Sequence, residues 1–367
     1  MNFKDKLKKN LYDNVSIYFL VILLITIYFG LRVKDFTFFN RIVFDKESYS
    51  LHFSKYSAAY AEITNFNKSL FKEAFTIHIA FKPLDEAYKS GFQSILMINS
   101  GSDNNQFIIA QWKRWIIIMN GCDYSHARKE PRISYKLKTH KPQFLTIVSD
   151  RFGTRLYLDG NLIKRNNRLK LTLPIVNGAY LILGNNIYET ASWNGHIYGV
   201  CILNYALDND TIKLNYLNWK RTNLFSIFRS LQPFILYDFY YKSQSSIKDL
   251  GKCNCTLNIP SILPTLKKQI HMFNYNREVD SNLDDLIINF LGFIPISFFT
   301  TIFFYKYFSL QKTKLFLLSV LFCFFLSLSI EIIQMWLPSR CSDISDILFN
   351  TLGAIVGVSL FKVMQLL

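Results

Sequence analysis

Acidic residues are scarce: 26 Asp and Glu stand against 42 Lys and Arg among 367 residues, a formal net charge of +16. That imbalance would suit nucleic acid, a membrane surface or an anionic polymer. Zinc-type cysteine spacing is missing. Six cysteines contain no CxxC…CxxC arrangement, and Cys253-Asn-Cys255 is the one close pair. Disulfide pairing stays open, because spacing alone does not fix it. Uniform hydrophobicity is missing too. A mean hydropathy of +0.14 is too low for a chain that is membrane helix throughout, so apolar runs must be read one by one.

Those runs sit at the two ends. Val15–Leu31 is uncharged and apolar over 17 residues, at the short edge of the roughly 20 needed to cross a bilayer. Lys4, Lys6, Lys8 and Lys9 precede it. A cleaved signal peptide is the competing reading, but the run is long for one and Gly30-Leu-Arg-Val-Lys-Asp lacks a small-x-small cleavage site. Three further runs are expected as membrane helices near 286–305, 315–334 and 346–365. Lys306, Lys312 and Lys314 lie between the first two, whereas Arg340 and two aspartates lie between the last two. Positive-inside counting then predicts about four crossings with both termini in the cytoplasm. The expected domains are 1–39, an extracytoplasmic segment 40–264, and 265–367. Little cytoplasmic mass remains for a duplex to contact, so nucleic acid is excluded as a partner. Basic residues such as Lys113, Arg114, Lys164 and Arg165 fall in the external segment, where an envelope glycan, a glycopeptide, an anionic polymer or lipid headgroups would meet them.

Residues 40–208 alternate in short strands separated by turn residues, the pattern of a β-sandwich. In Phe75-Thr-Ile-His-Ile-Ala-Phe81, Phe75, Ile77, Ile79 and Phe81 point one way and His78 the other. Thr154 to Ile163 reads as a hairpin turning on Asp159-Gly160. The ordered set Phe75-Thr-Ile…Phe81-Lys-Pro83, Tyr157-Leu-Asp-Gly160, Leu181-Ile-Leu-Gly184 and Trp193-Asn-Gly-His resembles the laminin-G-like or concanavalin A-like jelly rolls. Tyr237, Phe239, Asp249, Gly251, Leu257, Ile259 and Pro260 resemble that family's edge strands. The resemblance implies a jelly roll that binds sugars or proteins. A glucanase of this kind needs paired carboxylates about 5 Å apart on one strand, and no ExDxxE run is present. The segment therefore reads as a recognition module, with Trp112, Trp115 and Trp193 as candidate sugar platforms, although a sandwich Trp is commonly core. Thr211 to Phe228 is amphipathic and basic, expected as a surface helix or membrane-surface segment.

Polar residues in the C-terminal runs recur on one helical face each. Asp285, Asn289 and Gly292 form one such face, with Pro295 beside it; Ser319, Cys323, Ser327, Glu331 and Gln334 form the second. Asp343, Asp346, Asn350, Gly353 and Gly357 form the third, with the two glycines in close-packing spacing. Together with Arg340 these faces define a polar cluster. It reads either as structural or as a site for a lipid headgroup, a phosphate or a divalent cation, without a defined cofactor. Asp285…Asn289…Pro295 followed by Glu331-Ile-Ile-Gln…Arg340…Asp343…Asp346…Asn350…Gly353…Gly357 resembles the VanZ family. That resemblance implies a membrane domain of about four helices with a link to teicoplanin resistance. The expectation is thus a multi-domain protein, a helical membrane bundle with an inserted all-β jelly roll. An envelope-binding role, a membrane-embedded hydrolase or transferase, and a structural assembly factor remain the readings.

Overall fold

The computed structural model describes residues 9–32, 39–64, 71, 73–84, 92–101, 106–121, 131–187, 191–241, 245–263, 266, 270–271, 279–337 and 342–366. Arg340, Cys122 and Cys341 lie outside them, as does the side chain of Asp285. The chain divides into two compact units. One is Thr37–Lys267, and the other combines Met1–Phe36 with Lys268–Leu367.

The first unit is a sandwich of two eight-stranded antiparallel sheets. The strands of the first sheet are β1 (Val43–Asp45), β2 (Ser50–Phe53), β4 (Phe75–Pro83), β9 (Gln143–Asp150), β10 (Gly153–Leu158), β11 (Asn161–Asn166), β13 (Gly195–Leu203) and β14 (Ile235–Asp238). They run in the order β1-β2-β13-β4-β9-β10-β11, and β14 also pairs with β13. The second sheet holds β3 (Ala59–Ile63), β5 (Gln93–Asn99), β6 (Gln106–Trp112), β7 (Trp115–Asn120), β8 (Arg132–Lys136), β12 (Ala179–Leu183), β15 (Ser246–Ile247) and β16 (Leu257–Asn258). Its order is β15-β16-β3-β12-β5-β6-β7-β8. Phe75, Ile77, Ile79 and Phe81 of β4 all enter the core between the sheets, as their alternation predicts. The β10–β11 hairpin turns at Asp159 and Gly160, both at positive φ (51° and 75°), the geometry a two-residue hairpin loop favours.

The opposite face of β4 is buried as well, which alternation alone does not reveal. Helix α2 (Asn209–Thr222) and a 3₁₀ turn (Ser226–Leu231) roof it. Asp208 caps α2 by accepting from the Thr211 amide at 2.8 Å. Ile212 and Trp219 of α2, with Phe225 and Phe228, pack onto Ala80, Phe144, Val148 and Tyr198. The stretch expected as a surface helix or a membrane-surface segment is thus a helix on the sandwich, amphipathic because one face packs on its own sheet. His78 is fully buried under this roof. Its Nδ1 pairs with Thr146 Oγ1 at 2.7 Å and its Nε2 with Asn215 Nδ2 at 3.2 Å.

The second unit contains α1 (Val15–Leu31), α3 (Val279–Phe308), α4 (Lys312–Gln334) and α5 (Ile344–Leu366). Segments Leu286–Phe308, Lys312–Gln334 and Ile344–Gln365 are long and apolar enough to cross a membrane, and Val15–Leu31 is a shorter apolar helix. α3 runs through Pro295 as one helix. α1 packs within this unit. Phe19 stacks on Phe303 with ring centroids 4.9 Å apart, Ser16 Oγ lies 2.9 Å from Tyr307 Oη, and Lys306 Nζ donates to the Tyr12 carbonyl at 2.7 Å. A short parallel pair, β17 (Ile270–His271) with β18 (Ser342–Asp343), closes one end of the unit.

Burial depresses the imidazole of His78 to about 3 from the ordinary 6.5. A folded-state value below the unfolded one means that this contribution to stability is complete above pH 6.5 and is lost as pH falls toward 3. At 1.36 kcal/mol per pH unit, acidification from pH 6.5 to 5 is expected to cost the sandwich roughly 2 kcal/mol. His78→Gln removes the titrating group. Denaturant unfolding followed by Trp fluorescence should show a shallower pH slope in that variant, and equal slopes would clear His78 of the role.

Candidate functional site

The polar seam of the helical unit begins on α4. Ser319, Cys323, Ser327, Glu331 and Gln334 recur at helical spacing, and all five are buried. A buried polar group needs a partner, and most of these have found one. Ser327 Oγ accepts from Asn350 Nδ2 at 2.8 Å, which ties the middle of α4 to α5. Gln334 Nε2 donates to the Gly30 carbonyl of α1 at 2.6 Å. Glu331 secures the entry to α5: its Oε2 accepts from the Asp343 amide at 3.0 Å, and its carbonyl accepts from Ser342 Oγ at 2.5 Å. Asp343 in turn accepts from both the amide and the hydroxyl of Ser345. Asp346 occupies the first turn of α5, where a carboxylate suits the helix dipole.

Sequence reasoning thus found Glu331, Gln334, Asp343 and Asn350, which the fold brings to one seam. It missed Ser342, Ser345 and Gly30. Short polar residues just before a helix were the available signal for the two serines, whereas the Gly30 carbonyl carries no side-chain mark. Asn289 is half-buried on α3. Gly292 needs a correction. It is exposed, and a Cβ built there would meet nothing within 4 Å, because α5 rests on the face of α3 that carries Phe290, Ile294 and Ser297 instead.

Gly353 and Gly357 do sit at backbone contact. A Cβ on Gly353 would fall 2.1 Å from the Phe290 carbonyl oxygen, and one on Gly357 would fall 2.0 Å from Ser297 Oγ and 2.2 Å from the Ile294 oxygen. Small residues at this spacing let two helices touch where a side chain would separate them.

The three tryptophans separate. Trp193 is fully buried and donates from Nε1 to Gln111 Oε1 at 2.7 Å, so it belongs to the core and offers no sugar platform. Trp112 and Trp115 face each other across the β6–β7 hairpin. Trp115 is 42% exposed, while Trp112 is half-buried with Lys113 Nζ 5.0 Å from its ring centroid. Arg114 in the turn and Lys136, paired with Trp115 on β8, are exposed beside them. Elsewhere in the sandwich, Asp249 accepts from the amides of Leu236 (2.8 Å), Gly251 (2.8 Å) and Cys255 (3.2 Å), and burial raises its carboxyl above the usual range. Cys253 and Cys255 are joined as a disulfide, and Cys201 and Cys323 are free and buried. This cluster fastens the loop between β15 and β16. Its sulfurs, being bonded to each other, are not thiolate ligands for a metal.

Gly353→Ala and Gly357→Ala should each destabilise the helical unit by about 1–3 kcal/mol, the usual range for overpacking. Gly292→Ala should be neutral or gain up to about 1 kcal/mol from helix propensity. Unfolding in detergent by increasing SDS measures all three. Equal stability of Gly353→Ala and Gly292→Ala would rule out backbone contact at Gly353.

Residues 224–365 match the family model VanZ/LLP1, and residues 55–213 match that of the concanavalin A-like lectin/glucanases superfamily. The VanZ/LLP1 match starts inside the sandwich unit and so takes in β14, β15 and β16 as well as α3, α4 and α5. No curated protein matches the chain. Among solved structures, a botulinum neurotoxin DC binding domain in complex with rat synaptotagmin II aligns at 13% identity and a TM-score of 0.38, over 51% of this chain and 47% of that one. A structure of botulinum neurotoxin type C concerned with two ganglioside molecules aligns at 15% and 0.38, over 49% and 45%. The Ruminococcus gnavus IT-sialidase CBM40 bound to alpha2,3 sialyllactose aligns at 13% and 0.35, over 45% and 96%. The chain thus spans less than half the length of the neurotoxin chains it matches. It joins a region that matches the VanZ/LLP1 model to a jelly roll that matches the concanavalin A-like model, and among the described residues three helices are long and apolar enough to cross a membrane.

Proposed function

We propose that this chain is a multi-pass protein of a bacterial cytoplasmic membrane whose jelly roll, on the outer side, recognises a surface glycan or glycopeptide. The observation that carries the reading is the β6–β7 hairpin, where Trp115 and Trp112 lie opposite each other among Lys113, Arg114 and Lys136. An exposed indole offers a flat apolar surface for a sugar ring, and the surrounding cations favour acidic or phosphorylated saccharides. The helical unit anchors that module, with α1 entering before the sandwich and α3, α4 and α5 following it in the chain. Within the seam, Glu331 serves as a fastening for the start of α5, since its carboxylate holds the Asp343 amide. That use favours a structural part for the cluster over a hydrolytic one. Both termini lie in the cytoplasm on this reading, and tolerance to glycopeptide antibiotics is the cellular trait it leads us to expect.

Full-length protein in nanodiscs, screened on an array of envelope glycans and glycopeptides, provides the test. Trp115→Ala combined with Trp112→Ala should weaken the best ligand at least tenfold, about 1.4 kcal/mol. Trp193→Phe should leave affinity unchanged in whatever fraction folds. Absence of any ligand above background, or full binding by the double variant, overturns the recognition role. Cysteine placed at Lys164 should react with an impermeant maleimide on intact spheroplasts; protection there would reverse the orientation.

A further inference from the structure

The helical unit contains a cavity of about 520 Å³ that takes no part in the seam, and we infer that it holds the phosphate group of an anionic membrane lipid. Its lining joins the start of α4 (Lys312, Phe316) to the last turns of α5 (Phe361, Lys362), with Tyr305 of α3 and Tyr12 ahead of α1. Glu331 is 19 residues further along α4 than Lys312, roughly 28 Å at 1.5 Å per residue, so the cavity and the acidic seam occupy opposite ends of that helix.

Charge and shape agree on the ligand class. Both lysines lie on exposed positions, and neither forms an ion pair among the described residues. No carboxylate occurs among the described lining residues. Lys362, exposed and part of the lining, lays its ammonium 4.5 Å from the Phe316 ring centroid, a cation–π contact that holds the charge beside the cavity. Lys306, by contrast, is already engaged with the Tyr12 carbonyl at 2.7 Å and stands outside the lining. Gln311 supplies no side-chain cap to α4, whose N-terminal dipole therefore adds to the positive field of Lys312. Two phenols, Tyr12 and Tyr305, provide further hydrogen-bond donors, and Leu315, Phe316 and Phe361 form the apolar walls. Two ammonium groups above apolar walls at a helix terminus suit a headgroup phosphate whose hydrocarbon chains run down between helices. A free phosphate shares the charge requirement but leaves those walls unused.

Thermal unfolding of the full chain in a neutral detergent, titrated with phosphatidylglycerol, phosphatidylcholine or inorganic phosphate, tests the assignment. Phosphatidylglycerol should raise the midpoint saturably, phosphatidylcholine much less and inorganic phosphate least. Lys312→Ala with Lys362→Ala should raise the apparent phosphatidylglycerol Kd at least tenfold, while Lys312→Arg with Lys362→Arg retains binding. Lys314→Ala is the control, an exposed cation on the same turn outside the lining. Equal loss in Lys314→Ala would reduce the effect to general surface charge and overturn the site. Equal protection by phosphatidylcholine would overturn the anionic requirement, and equal protection by inorganic phosphate would overturn the lipid. Glycan binding rests on a different unit, so failure here is distinguishable from failure of the recognition role.

Discussion

The backbone-to-backbone contact between α3 and α5 governs the helical unit. Inside a membrane, helices gain little from the hydrophobic effect by meeting one another, so close approach must be built from shape and polar pairing. Gly353 rests against the Phe290 carbonyl and Gly357 against Ile294 and Ser297, which fixes both the distance and the register of the pair. Asn350 lies one turn before Gly353 and is held where its amide reaches Ser327 of α4. Asp343 lies two further turns back, where its own amide meets Glu331. A side chain at either glycine would push α5 away from α3. The glycine contact and the seam thus hold α5 from two sides, one against α3 and the other against α4.

The sandwich follows a different economy. Its first sheet buries both faces, one against the second sheet and the other under α2 and the 3₁₀ turn. That arrangement explains why β4 is buried at nearly every position and why a histidine on its second face lies out of solvent. His78 satisfies both ring nitrogens with neutral partners, Thr146 and Asn215, and full burial keeps it uncharged. Asp249 does comparable work at the sheet edge by gathering three backbone amides that no strand partner would otherwise satisfy.

Local patterns were legible in the sequence, and contacts across the fold were not. Alternation located β4 and marked 40–208 as short strands, and Asp159-Gly160 marked its hairpin, because period two and positive φ are properties of neighbouring residues. Apolar length marked the helices for the same reason. The face of α2, the burial of Trp193 and the outward position of Gly292 depend on which surface packs opposite, and no periodicity states that. Thr211 to Phe228 shows the ambiguity well: an amphipathic basic helix looks alike whether its apolar face meets lipid or a sheet. The Glu331, Asp343 and Asn350 grouping was readable because polar residues at helical spacing in an apolar run have few alternatives to meeting one another. Gly30 gave no warning, since a backbone carbonyl acts as an acceptor in every residue.

The charges on α4 run against its own dipole. Its first turn carries Lys312 and Lys314 with no acid, and its last carries Glu331 with no base. The macrodipole prefers the reverse, by about 0.3–1 kcal/mol for each charge at an exposed helix end. Something other than the helix must therefore account for both placements. At the C-terminal end the account is direct, because Glu331 gives up its preferred location in exchange for the Asp343 amide and the closure of the bundle. At the N-terminal end no protein carboxylate among the described residues answers the lysines. Positive charge at one membrane face is a sufficient reason for basic residues in the α3–α4 link, but a general bias toward that face does not explain why Lys362 of α5 converges with Lys312 on one cavity. Convergence from two helices onto a shared space fits a ligand-sized anion, and the apolar walls beside the lysines favour a lipid phosphate as its occupant.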